Sequence, residues 1–265
     1  RGFSSIAPEN TYIAAEKAYQ TGAYMWECDL RLTADGELII FHDRNLTRTT
    51  NAEEVFPNRE NYDVSSFNLS EIKKLDAGSW FEKNDPFGTI KNGTVPEEDL
   101  TKYKNLPVLL FEEALELTAE RDWRLDLEIK EKFSSKSTRK SFMEQIVSKL
   151  DQYNLLRNSI ISSFHKNILY DISGINKNIS TLLVLDKYDQ ELEKSIRSGS
   201  LSAVGVPVQG FNEYREKLRT VAESGLGIYV WTVDERSTLE KLVDEKWIEG
   251  IITNCPQLLE RILNN

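Results

Sequence analysis

Short apolar strands alternating with amphipathic helices predict a parallel α/β fold, and charged residues at strand ends predict its closed form, a TIM (β/α)8 barrel. Three observations carry this expectation. From Pro107 onward helix and strand patterns alternate in steady succession. Seven strands of the parallel type can be read, one short of a closed barrel. Acidic residues interrupt the apolar strands at or near their C-terminal ends, where barrels of this kind place their chemistry. An open doubly wound sheet is the rival arrangement. The chain opens Arg1-Gly2-Phe3, which reads as a loop following a strand, so the first strand is expected just before Arg1.

The elements follow in order. A helix is expected from Asn10, read as its cap, through Tyr12 to Gln20, with Gly22 ending it. A strand from Ala23 to Leu30 leads into the hairpin-type turn Thr33-Ala34-Asp35-Gly36 and a short strand from Glu37 to Phe41. From Arg44 to about Pro107 the pattern breaks down into a polar stretch rich in Asn, Asp, Ser and Lys. Tyr62, Phe67, Trp80, Phe81 and Phe87 punctuate it and can pack a local core. It is read as an inserted subdomain, residues 44–107, within a single domain of residues 1–265. Beyond it, helices are expected over Phe111–Arg121, Thr138–Tyr153, Lys166–Ser173, Gln190–Ser198, Asn212–Ser224, Glu235–Lys246 and Pro256–Leu263. Strands are expected over Trp123–Ile129, Ser159–Ser163, Ser180–Leu185, Ala203–Pro207, Gly227–Thr232 and Gly250–Thr253. Each strand follows one of the first six helices.

The formal net charge of −10 argues against a nucleic-acid partner, which would want a basic face. It leaves room for a phosphate substrate, because one metal ion and two cationic side chains reverse a local field. No apolar run approaches the length of a membrane span. Cys28 and Cys255 lack metal-ligand spacing and are read as free thiols, with Cys28 pointing away from its flanking carboxylates; they leave the compartment open.

Two short stretches carry chemistry. In Trp26-Glu27-Cys28-Asp29-Leu30 the two acids stand two residues apart, so a strand turns both to one face. Glu128 and Lys130 share a face in Leu125-Asp126-Leu127-Glu128-Ile129-Lys130, with Asp126 one pleat deeper and read as structural, as the partner of a buried cation. Acids facing a strand-lined interior are costly unless compensated. A divalent cation with a phosphate would compensate them, which points to metal-assisted phosphoryl chemistry. His42 follows a strand and abuts Asp43, which can orient the ring. His165 follows Ser162-Ser163-Phe164 and reads as a loop or helix-start residue.

Taken together, the ordered motifs Arg1-Gly2, Ala7-Pro8-Glu9-Asn10-Thr11, Glu27-Cys28-Asp29, Leu32-Thr33-Ala34-Asp35-Gly36 and His42-Asp43 through Leu46-Thr47-Arg48-Thr49-Thr50 resemble the glycerophosphodiester phosphodiesterase family. Later stretches extend the likeness: Leu75-Asp76-Ala77-Gly78-Ser79-Trp80-Phe81, Glu128-Ile129-Lys130, Ser162-Ser163-Phe164, Trp231-Thr232-Val233-Asp234 and Gly250 to Pro256. The resemblance implies a TIM barrel with a small inserted subdomain. It implies metal-dependent hydrolysis of a small-molecule glycerophosphodiester to glycerol 3-phosphate and an alcohol.

By position in the family, Glu27, Asp29 and Glu128 correspond to metal ligands, Arg1 and Lys130 to phosphate contacts, and His42 to one of two acid/base histidines. The family's other histidine immediately precedes its Arg-Gly pair and is expected upstream of Arg1. An all-carboxylate ligand set suits Mg²⁺ or Ca²⁺. Trp231 and Phe164 are read as apolar walls against the substrate, and Glu9 either as a salt-bridge partner that positions Arg1 or as a direct contact with the site. A catalytically impaired binding module and a related lyase-type phospholipase are the alternative readings.

Overall fold

The protein is described by a computed structural model covering residues 1–133, 135–188 and 201–264. It divides into two compact units, Arg1–Leu125 and Asp126–Asn265. The helix expected over Gln190–Ser198 lies outside the described residues.

The first unit is built on a hairpin. Strand β1 (Trp26–Leu32) pairs antiparallel with β2 (Leu38–Ile40), Leu30 facing Ile40 and Leu32 facing Leu38. The turn between them closes through Thr33, whose hydroxyl donates to Asp35 at 2.6 Å and accepts from the Glu37 amide at 3.0 Å. The helix Tyr12–Gln20 stands where expected, but its cap is Thr11 and not Asn10. Thr11 has extended backbone and accepts from the Ala14 amide, which relieves an orphan N–H of the first turn. Asn10 instead has φ 57°, a left-handed conformation its short amide tolerates, and turns its side chain toward β1. Gly2 (φ 73°) lets the opening loop lie against this helix: a Cβ there would come within 2.5 Å of the Ala14 main chain.

The segment 44–107 folds as short helices around two small cores. One gathers Leu46, Val64, Phe67, Ile72 and Leu75; the other gathers Phe81, Val95 and Tyr103 with Ala7 and Ala14. Arg59 seals the first by lying 3.8 Å over the Phe67 ring and pairing with Glu71. Phe87 departs from expectation and is 41% exposed. The second core braces the opening loop. Tyr103 donates to the Ile6 carbonyl at 2.7 Å, Thr89 donates to the Ser5 carbonyl at 2.7 Å, and Lys17 pairs with Asp99 at 2.7 Å.

The second unit is the repetitive part. Strands β3 (Leu125–Ile129), β4 (Ser159–Ser163), β5 (Ser180–Val184), β6 (Ala203–Pro207), β7 (Gly227–Trp231) and β8 (Gly250–Ile251) lie side by side in sequence order. From β4 to β8 each pairs parallel with its successor. Helices Lys136–Gln152, Lys166–Ile175, Phe211–Glu223, Arg236–Val243 and Pro256–Leu263 stand after β3, β4, β6, β7 and β8. Buried Leu127, Ile161, Leu182, Val204 and Val230 give the strands the continuous apolar character of sheets covered on both faces. Among the described residues no helix is long and apolar enough to cross a membrane.

Candidate active site

In β1 the period of two separates two environments. Trp26, Cys28 and Leu30 are buried on one face, while Glu27, Asp29 and Arg31 share the other. Trp26 is anchored by donating its indole N–H to Thr118 at 2.9 Å and by stacking on Trp123. Cys28 is buried and Cys255 half-buried, and neither forms a disulfide among the described residues.

Around the acids the polar contacts are dense. The Asp29 side chain is fully buried. Asn10 donates to its Oδ2 at 2.8 Å and accepts from its backbone N–H at 3.3 Å. Arg1 Nε lies 3.4 Å from Asp29 Oδ2. Arg1 Nη1 lies 3.5 Å from Glu9, which matches the salt-bridge alternative for that residue. Burial alone would lower the Arg1 pKa, but the charges of Asp29, Glu9 and Glu27 outweigh it and raise it.

His42 stands just beyond β2. Its Nδ1 lies 2.5 Å from Asp43 Oδ1. A carboxylate only accepts, so Nδ1 carries the proton and Nε2 is left for a reactant. The ring is held from its main chain as well: Arg31 donates Nε and Nη2 to the His42 carbonyl at 3.2 and 2.8 Å. Burial would raise the Asp43 carboxyl, yet the hydrogen bonds from His42 and Arg48 hold it well below the usual carboxylate range. Glu9 is held low in the same way, burial being outweighed by the Arg48 hydrogen bond and the Arg1 charge.

In the second unit the candidate site residues stand at or just beyond strand ends. Glu128 and Lys130, on one face at the end of β3, pair at 2.9 Å with little exposure. Lys130 Nζ sits 5.9 Å from the Phe164 ring centroid, and Phe164 meets Trp231 edge-to-face at 6.0 Å. The result is a row from Glu128 through Lys130 and Phe164 to Trp231. Gly205 lies beside it, where a Cβ would come 3.1 Å from Leu182 and 3.4 Å from the Trp231 indole. Trp231 Nε1 is buried and finds no hydrogen-bond partner among the described residues, a donor available to a ligand. Asp126 is buried and accepts from the Ser162 hydroxyl at 2.5 Å. His165 caps the helix Lys166–Ile175, and burial with the Lys132 charge lowers its pKa.

Three residues escaped sequence reasoning: Asn10, Arg31 and Arg48. Arg31 carried a signal, since it continues the period of Glu27 and Asp29. Asn10 was masked by its likeness to a helix cap, and Arg48 by lying in a loop without periodicity.

The chain is 30% identical over 99% of its length to a glycerophosphodiester phosphodiesterase of Bacillus subtilis, covering 84% of that protein. It is 30% identical over 98% of its length to one of Caldanaerobacter subterraneus, covering 93% of it. Its fold is similar to that of a phosphodiesterase from Oleispira antarctica solved with sn-glycerol-3-phosphate: TM-score 0.81 at 22% identity, covering all of this chain and 95% of that one. The fold is thus the TIM barrel expected from the sequence. Residues 1–258 match the Glycerophosphoryl diester phosphodiesterase family, and the chain belongs to that family.

Proposed function

We propose that the chain hydrolyses glycerophosphodiesters to glycerol 3-phosphate and an alcohol, with its two units working as one barrel domain that carries residues 44–107 as an insertion. The observation that carries this is the shared face of β1: two acids, one fully buried, beside a guanidinium and within the same unit as a histidine oriented by Asp43. The names of its relatives support the reaction class, and the glycerol phosphate product held by the Oleispira structure supports the substrate class.

Glu27, Asp29 and Glu128 would hold a divalent cation, Mg²⁺ or Ca²⁺. The donor set fits: carboxylate oxygens suit hard cations, and Asp29 is held rigid by Asn10 on both its carboxylate and its backbone N–H. When bound, the cation supplies positive charge to a phosphate oxygen and acidity to a hydroxyl or water. Arg1 and Lys130 neutralise charge on the equatorial phosphate oxygens. His42 moves a proton at Nε2, while Asp43 stabilises the imidazolium that forms. Phe164 and Trp231 wall the site, with the Trp231 indole N–H offered to a substrate oxygen.

The test is release of glycerol 3-phosphate from glycerophosphocholine, with EDTA and then Mg²⁺ or Ca²⁺ added back. Release should stop and return. His42→Ala should lower kcat by about 10²- to 10⁴-fold. Undiminished release in EDTA removes the cation from the reaction, and an unchanged kcat in His42→Ala removes the histidine.

A further inference from the structure

Arg48 has no part in the mechanism above, yet its guanidinium grips two carboxylates at once. It donates Nε and Nη2 to Asp43 at 2.5 and 3.1 Å, and Nη1 and Nη2 to Glu9 at 3.1 and 2.6 Å. Both contacts are forked, the geometry a planar guanidinium makes and an ammonium does not. The group also lies 5.9 Å from the Trp80 ring centroid, a weaker third hold.

Each carboxylate has a second client. Asp43 accepts from the His42 ring, and Glu9 faces Arg1. The groups therefore form a line of alternating charge: Arg1, Glu9, Arg48, Asp43, His42. Without Arg48, two poorly exposed carboxylates would face each other with no cation between them. One would turn to solvent or take a proton, and its client would lose its orientation.

We propose that Arg48 is a positioning residue that sets the His42 ring and the Arg1 guanidinium from one rigid fork, coupling proton transfer to phosphate binding. This rests on the hydrolase reading of His42 and Arg1. A purely stabilising role is a poor match for its position: the Arg48 side chain is 43% exposed, and ion pairs that wet contribute little to folding.

The experiment compares Arg48→Met and Arg48→Lys with Arg44→Met, a control on the same loop whose side chain is 79% exposed and pairs with Asp63. Arg48→Met should lose about 10²-fold in kcat, the scale of a misplaced reacting group, while remaining folded. Arg48→Lys should recover little of it, because one ammonium cannot make both forks. Ring ¹⁵N NMR reads His42 and His165 separately once His42→Ala and His165→Ala have assigned their resonances. Arg48→Met should move the His42 Nδ1 resonance and leave that of His165 in place. A kcat within about twofold of wild type, or an unmoved His42 resonance, overturns the coupling. Absence of turnover by the wild type would overturn the hydrolase reading instead, and the NMR comparison would still decide the coupling.

Discussion

The two units hold their candidate site residues in different ways. In the first, Arg1, Glu9, Asn10, His42, Asp43 and Arg48 stand on loops and are held by one another through ion pairs and hydrogen bonds. In the second, Glu128 and Trp231 sit on β3 and β7, and Lys130 and Phe164 follow the ends of β3 and β4. Phe164 and Trp231 pack against Leu182, Val184 and Ala203, Trp231 is registered against Pro207, and Glu128 is carried by its strand. A side chain fixed by the sheet can be changed with a local effect. One fixed by a charged neighbour passes its loss along the line.

The strongest way to break this comparison is Lys130→Met. Removing one donor that meets developing charge costs about 10²- to 10³-fold in kcat. Because Lys130 follows directly from a paired strand, the damage should stay local. Its partners Glu128 and Phe164 remain on β3 and beside Trp231. The His42 Nδ1 resonance should therefore stay where it is, in contrast to Arg48→Met. A shift of that resonance in Lys130→Met would show that the strand-borne set is as coupled as the loop-borne one.

The same division governs what the sequence disclosed. The strands Ser159–Ser163 and Ala203–Pro207 and the helix Pro256–Leu263 were bounded as observed, because apolar runs between turn signals report burial directly. Glu27 and Asp29 were placed on one face by period alone, and Glu128 with Lys130 likewise. The loop-borne contacts are a different matter. Glu9 and Arg48 are 39 residues apart, and Asn10 and Asp29 are 19 apart. Nothing in local propensity links such pairs; only the folded path brings them together. Asn10 shows how a local rule misleads: it is a good cap residue, but Asp29 offered its amide a buried carboxylate and Thr11 took the cap. His42 beside Asp43 was legible because the partner is the next residue.

A smaller effect sharpens the second unit's side of the comparison. Trp231→Ala removes the wall against Phe164 and the unpartnered indole donor. An aromatic contact with its hydrogen bond is worth about 1.4 kcal/mol, or tenfold in affinity. The loss should appear mainly as a rise in KM, with kcat changed by less. Steady-state kinetics on glycerophosphocholine checks this. A fall in kcat at constant KM would place Trp231 in transition-state binding instead.

The smallest effect concerns what lies beneath the loop-borne line. Tyr103 is fully buried in the insertion and donates to the Ile6 carbonyl, bracing the loop that carries Arg1 and Glu9. Tyr103→Phe should cost about 1 kcal/mol, the scale of one buried hydrogen bond, and lower Tm by about 2–4 °C. Burial first, and then the Asp99 charge, raise the Tyr103 pKa above its ordinary 10.0. A raised pKa in the folded state means that the neutral hydroxyl stabilises the fold below pH 10 and that this stability drains away as pH climbs toward the folded value. Alkaline unfolding of the wild type should therefore steepen above about pH 10 relative to Tyr103→Phe. Since Tyr103→Phe removes one hydrogen bond at Ile6 and leaves the hydrogen bonds of Arg48 to Glu9 and Asp43 in place, kcat at neutral pH should fall by less than about threefold. Superimposable alkaline limbs would remove Tyr103 from the brace. A loss in kcat as large as that of Arg48→Met would mean that the line depends on its scaffold as much as on its own charges.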